Sequence, residues 1–331
     1  MSYTIEVYRG AQKAERHLGY FANYVLFFPQ MVAGPIERYS GLGNELKKKV
    51  SPANENFSNG FRLILFGLLI KMSIADNIAP YVNEIYKQPL KHSSTEVLLG
   101  VLFFSFQIYA DFFGYSTIAL GSAKMLGISI MDNFKTPYFA SSIGEFWNRW
   151  HISLSTWFRD YVYFSLGGNR VKLPRWCLSI LLVFAISGLW HGANWTFVVW
   201  GLLHGLFRIG ERFLKIERTN FIVHLLLVIK TFLLVSVAWI FFRAPDFSKV
   251  EEIFKALFCN NGIRMEQTSW RVPLGASLMM ILMDLLIRNS RVDYRVGQLR
   301  SPYRWAIYAL MLFGLMALSG TQKFSFIYFQ F

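Results

Sequence analysis

The chain has 331 residues, of which 54% are hydrophobic, 18% aromatic and only 16% charged. A soluble domain usually carries about 25% charged residues, so this apolar excess is too large for one ordinary core and points to an integral membrane protein. The formal net charge is +14, but Lys and Arg fall mainly between apolar runs, which fits cationic loops retained in the cytoplasm and argues against nucleic acid as a partner.

Met1 is followed by SYTIEVYRG, which lacks the charged start and apolar middle of a cleavable signal, so targeting is expected from the spans themselves. In chain order, Tyr20 to Val32 is short and runs into Phe28-Pro29-Gln30, which predicts a re-entrant or interfacial piece. Phe61 to Ala79 predicts a span carrying Lys71 and Asp76 towards one end. Glu96 to Ile130 is too long for one upright helix and holds Gly114, Gly121 and Gly127, so a crossing followed by a bend is expected. Trp176 to Ile209 is also overlong, with an interruption at Gly188 to Gly192 near its middle. Broken backbone at membrane depth is tolerated inside protein or beside a wet cavity. Phe221 to Phe242 is the cleanest span despite Lys230, and Val272 to Ile287 and Trp305 to Ser319 complete the set. No linker, repeat or composition shift divides the chain, which reads as one all-α polytopic domain over residues 1–331.

Loop charge gives the topology. Arg208, Arg212, Lys215 and Arg218 form one cationic cluster, and Arg288, Arg291, Arg295, Arg300 and Arg304 form another. Both are expected in the cytoplasm, with Lys47-Lys48-Lys49, which leaves Arg243 to Trp270 as an exterior connection.

The chemistry concentrates in two blocks. SGLWHGANWTFVVWGLLHG, Ser187 to Gly205, places His191 inside an apolar run, where an imidazole is penalised unless paired, facing a cavity or reacting. On a continuous helix Asn194 shares its face, and its amide is then placed to orient the ring or bind a substrate oxygen. Gly188 and Gly192 leave room for a ligand and equally suit close helix packing, a structural reading that accounts for the glycines but not for the imidazole. In EFWNRWHISLSTWFRDY, Glu145 to Tyr161, a helix gathers Trp147, Trp150, Leu154, Trp157 and Phe158 on one side. Asn148, Arg149, Ser153, Ser155, Thr156, Arg159 and Asp160 occupy the other, and His151 lies at the margin. That pattern fits a helix lining a polar cavity and, as well, an interfacial histidine half in water.

His204 falls on the far side of one continuous helix and is expected to bond within the bundle; His17, His92 and His224 have no supporting constellation. Gln107, Asp111 and Tyr115 share a helical face. A carboxylate at a span centre costs roughly 2.5–3.5 kcal/mol, so Asp111 is expected to face inward, paired with Lys71, Lys124 or an arginine, and Lys230 and Asp284 are read the same way. Cys177 and Cys259 offer no disulfide framework. No HExxH, P-loop, dinucleotide fingerprint or serine elbow occurs, so no metal site is expected. A buried general base remains.

The same residues carry a resemblance. SYTIEVYRG, FFPQMVAGPIERY (Phe27 to Tyr39), DFFGYSTIALGSAKMLGISIMDNFKTPY (Asp111 to Tyr138), EFWNRWHISLSTWFRDYVYFSLGGNR (Glu145 to Arg170), GLWHGANWTFVVWGLLHG and FIYFQF (Phe326 to Phe331) together resemble the membrane-bound O-acyltransferases, in particular the bacterial branch that O-acetylates alginate. The resemblance implies a ring of tilted helices around a thin centre, His191 as the catalytic histidine and His151 as the second one. It also implies further helices ahead of Ser2, so the family's N-terminal helices are expected to be missing here.

The activity implied by this resemblance is acyl transfer, chiefly acetyl, onto an exported polysaccharide or cell-envelope glycan at the bacterial inner membrane. The expected co-substrate is an acyl thioester, acetyl-CoA or an acylated carrier, with no bound cofactor. His191 is the expected general base, with Asn194, Trp190 and Trp195 as candidate donors to the oxyanion and Asp111 as a further substrate-side candidate. An exported accessory acetyltransferase is a candidate partner, the membrane protein then relaying acyl groups. The alternatives are D-alanyl transfer to teichoic acids, a transporter lined by Asp111, Lys230 and Asp284, and a haem held by His151 and His191.

Overall fold

The structure, a computed structural model, describes residues 1–31, 34–48, 53–214, 220–259, 270–288, 290–319, 324 and 326–327. Lys49, Lys215, Arg218, residues 32–33 and 260–269, and most of the closing FIYFQF block lie outside them.

The described residues are helical and contain no strand. Four short helices open the chain: α1 (Ser2–Tyr8), α2 (Leu18–Val25), α3 (Phe28–Met31) and α4 (Asn44–Lys47). None is long enough to cross a bilayer, as expected for the Phe28-Pro29 segment. They dock on the segment after His151: Arg38 pairs with Asp160, Glu6 accepts from the Tyr161 hydroxyl, and Arg9 donates to Ser165 Oγ at 2.8 Å.

Two long elements form the centre. α5 (Asn54–Ile70) passes through a π turn at Lys71–Ala75 into α6 (Asp76–Lys87) as one apolar rod. α7 (Ser94–Met125) starts at a capping box, with the Ser93 hydroxyl accepting from Glu96 N and the Glu96 carboxylate accepting from Ser93 N. It runs 32 residues without a break, about 48 Å at 1.5 Å per residue, and the expected bend follows it at Gly127, whose backbone is left-handed at φ 77, while the glycines inside the helix have another use. Gly114 and Gly121 are needed for packing instead. A Cβ on Gly121 would lie 2.6 Å from Gly60 O, and one on Gly114 would lie 2.8 Å from Gly67 O. The two rods thus run antiparallel with backbones in contact at two places, two turns apart on each helix.

After α8 (Ile143–Trp147) and α9 (Ile152–Phe158) come α10 (Leu173–His191) and α11 (Trp195–Phe213). The overlong segment is therefore not one traverse with a mid-depth interruption. The chain turns back at Gly192 to Asn194 and forms a tight antiparallel hairpin. Cβ atoms on Gly188 and Gly201 would fall 2.2 Å from Phe197 O and 2.1 Å from Phe184 O, and Arg212 stacks on Trp176 at 4.2 Å, joining the hairpin's two open ends.

α12 (Phe221–Arg243) is the most apolar helix. α13 (Phe247–Cys259), α14 (Arg271–Ile287), α15 (Val292–Gly297) and α16 (Ser301–Leu318) follow. Among the described residues four helical elements are long and apolar enough to cross a membrane: 54–87, 94–125, 173–191 and 221–243.

Candidate active site

His151 and His191 come from different elements, and both rings contact Trp190. His151 is not on the flank of one amphipathic helix: that helix is split, and His151 occupies the turn between α8 and α9 as the residue capping α9. The reason is its backbone, which is left-handed at φ 43, a conformation that breaks a right-handed helix and costs of order 1–3 kcal/mol for a residue other than glycine. The side chain is 4% exposed. Its ring meets Phe112 of α7 edge-on at 4.7 Å and Trp190 of α10 at 6.4 Å.

His191 is the last residue of α10. Its ring sits among Trp190 (5.0 Å), Trp200 (5.2 Å) and Phe242 (5.2 Å), contributed by α10, α11 and α12. His191 is partly accessible while His151 is buried.

The turn carrying His151 is held from several sides. Lys135 N donates to Arg149 O at 2.9 Å and Ile152 N donates to Asn133 O at 2.9 Å. Arg149 pairs with Glu145 at 2.7 Å. Glu211 of α11 accepts from Ile143 N at 2.5 Å and Gly144 N at 3.3 Å, capping α8 with a carboxylate. Trp147 donates from Nε1 to His204 Nδ1 at 3.3 Å. His204 is thus bonded within the bundle as expected, and the hairpin brings it to the other side of Trp200 from His191, with ring distances of 5.1 and 5.2 Å.

The remaining candidates separate. Trp190 contacts both imidazoles while half of it stays exposed. Asn194 does not share a helical face with His191, because α10 has ended. It caps α11, Oδ1 accepting from Thr196 N at 3.1 Å, and its amide donates to Pro245 O at 2.5 Å. Trp195 is 73% exposed and points outward. Asp111 faces inward, pairs with Lys71 at 2.9 Å and accepts from Ile327 N at 2.7 Å; Lys71 also pairs with Asp76. Lys230 approaches Glu211 at 3.9 Å. Asp284 accepts from the Tyr109 hydroxyl at 2.8 Å, a hydrogen bond where an ion pair was expected.

A polar cleft of about 640 Å³ flanks this segment, lined by Glu145, Asn148, Ser155, Thr156, Arg159 and Arg208 among others. Four of these come from the polar face anticipated between Glu145 and Tyr161. Sequence reasoning missed Asn133, Glu211 and Trp200. Among the described residues no group of three or more His, Cys, Asp or Glu side chains is arranged to hold a metal ion.

A bundle of apolar helices agrees with the comparisons. Residues 11–241 match the family model of MBOAT, the membrane-bound O-acyltransferase family, and the chain belongs to that family. It is 40% identical over 259 residues to a probable alginate O-acetylase AlgI of Azotobacter vinelandii, covering 78% of this chain and 51% of that protein. A protein of the same description from Pseudomonas putida is 34% identical, with 100% of this chain and 73% of the relative covered. A peptidoglycan O-acetyltransferase of Helicobacter pylori is 32% identical, with 94% and 64% covered. The chain spans about half the length of several of these curated relatives.

Proposed function

We propose that this chain carries the catalytic centre of a membrane O-acyltransferase that acetylates a hydroxyl of a cell-envelope polysaccharide. The observation that carries the reading is the convergence of His191 and His151 on the two sides of one aromatic contact, Trp190. The relatives named for acting on alginate and on peptidoglycan support a glycan acceptor, and the bilayer is the setting that the apolar helices require.

In this reading His191, the more accessible imidazole, takes the proton of the acceptor hydroxyl as its oxygen attacks the carbonyl carbon of an acyl thioester. The tetrahedral intermediate collapses by breaking the carbon–sulfur bond, and the departing thiolate receives the proton from His191. Atoms and charge balance without a further reactant. His151 fixes the far side of the enclosure and tunes the electrostatics around His191. Trp190, in contact with both rings, is the best-placed donor to the oxyanion, ahead of Asn194 and Trp195. The thioester, acetyl-CoA or an acylated carrier, approaches through the polar cleft, where Arg159 and Arg208 suit a phosphate-bearing donor. An inner-membrane location completes the proposal; in the relay form of the same chemistry the acceptor hydroxyl belongs to an exported acetyltransferase instead of the glycan.

A positioned general base contributes about 10²- to 10⁴-fold. His191→Ala is therefore expected to abolish glycan O-acetylation in complemented cells while the protein still inserts in membranes at its usual level. Full acetylation by that variant would refute the assignment.

A further inference from the structure

Asn133 lies in the loop between α7 and α8, and both of its acceptor atoms are committed to the turn that holds His151. Its backbone carbonyl accepts from Ile152 N at 2.9 Å. Its side-chain Oδ1 accepts from Ser153 N at 3.3 Å and from Ser153 Oγ at 2.6 Å. The Ser153 hydroxyl in turn lies 3.5 Å from His151 Nδ1. Asn133 is 2% exposed and Ser153 1%. The orientation of the amide is fixed by chemistry, because Ser153 N is a donor only and must face the oxygen. His151 is thereby bracketed by bonds to the two residues that follow it, with its backbone left-handed.

Among the described residues the groups in contact with the His151 ring are Phe112 of α7, Trp190 of α10 and Ser153 of α9, none of them charged, and His191 is the titratable group on the other side of Trp190. An aspartate at position 133 would accept the same bonds more strongly, since charged acceptors make the stronger hydrogen bonds. It would also place a negative charge beside the imidazole and favour its protonated form. The asparagine has a cost that an aspartate would not: its Nδ2 is buried with no acceptor among the described residues. A fastener for the loop alone gains nothing from that donor, whereas a histidine kept neutral gains an uncharged neighbour.

We propose that Asn133 is a positioning residue for the acyl transfer. It locks His151 into its left-handed turn against Phe112 and Trp190, and does so without a charge. The inference rests on the acyl-transfer reading for its purpose but not for its geometry.

The test uses the full chain in membranes, with diethyl pyrocarbonate as the probe. This reagent modifies neutral imidazole, and modification of His151 is read by mass spectrometry across pH. In Asn133→Ala the released turn should raise the labelling rate of His151 about tenfold or more, and glycan O-acetylation in cells should fall about 10- to 100-fold, as expected for a reacting group misplaced by an ångström or less. Asn133→Asp keeps the acceptor bonds and so remains folded. It should shift the pH midpoint of His151 labelling upward by about one to three units, the effect of an opposite charge close by. Ser153→Ala, which removes the hydroxyl's bond to Asn133 Oδ1 and its contact with His151 Nδ1 but keeps the bond from Ser153 N, should also raise labelling. Labelling rates and midpoints in all three variants equal to those of the unaltered chain would overturn the proposal. If labelling moves as expected while the unaltered chain acetylates no glycan, the positioning role stands and the acyl-transfer reading fails.

Discussion

Lys71 shows what a single residue carries in this protein. Its ammonium lies between Asp76 and Asp111, with the three side chains 8%, 10% and 4% exposed. It also donates to Phe324 O at 3.2 Å, and Asp111 holds Ile327 N, so the cluster ties the end of the chain to the centre of α7. Phe326 packs on Phe112, the ring that meets His151, which links this cluster to the candidate site by contact alone. Removing the cation leaves two buried carboxylates facing each other. Lys71→Met is therefore expected to cost about 3–5 kcal/mol, the usual consequence of breaking a buried pair, and Lys71→Met with Asp111→Asn should recover part of it. Thermal unfolding in detergent would check the order; equal loss in both variants would dismiss the pairing as a source of stability. At this scale the sequence was informative wherever a polar group stood out against apolar surroundings. His191, His151 and the Asp111–Lys71 pair were legible for that reason. Asn133 was not, because an amide in a loop of MDNFKTPY looks like ordinary turn chemistry. Its role comes from a pairing with Ser153 that no local period encodes.

Among the elements, the hairpin of α10 and α11 differs most from the hydropathy reading. A window average registers apolar continuity from Trp176 to Ile209 and cannot distinguish one long helix from two that fold back. The local signals were nonetheless present in Gly192 followed by Asn194, a break and then an N-cap. The glycines keep the two helices in backbone contact. Gly188→Ala should cost about 1–3 kcal/mol through overpacking against Phe197 and lower glycan acetylation, since His191 lies one turn further along. Gly210→Ala in the same hairpin is the control, because a Cβ there meets nothing within 4 Å; replacing a helical glycine in open space should be neutral or stabilising by about 0.5–1 kcal/mol. Equal losses from both would mean that close approach is not what these glycines provide. The same logic applies to α7, where Gly114 and Gly121 are contact points with α5 and only Gly127 makes the bend.

For the whole molecule, the opening helices act as a strap across the segment that comes after His151. Within that strap Glu15 accepts from the Tyr39 hydroxyl at 2.6 Å and pairs with Lys47. Hydrogen bonds from Lys47, then Tyr39, then the His17 backbone hold its carboxyl down to about 2. Because that value lies below the ordinary glutamate value of about 4.3, the contribution is fully present above about pH 4 and is lost as pH falls through 2. Hydrogen exchange of residues 1–31 and 34–48 should accelerate over that range, and Glu15→Gln should remove the dependence. An unchanged profile in the variant would assign the acid sensitivity to other groups.

The hairpin also determines which compartment each of its ends faces. A chain that turns back at Gly192 returns to the side it left, so Asn169 and Leu214, both exposed, border the same aqueous phase. Single thiols introduced there, with Cys177 and Cys259 replaced by serine, should react with a membrane-impermeant maleimide from one face of the bilayer only, and from the same face. Between the two positions the polypeptide contributes an even number of crossings. Lys172, Arg175, Arg208 and Arg212 all belong to the open end of the hairpin, so that side presents positive charge to a negatively charged reactant.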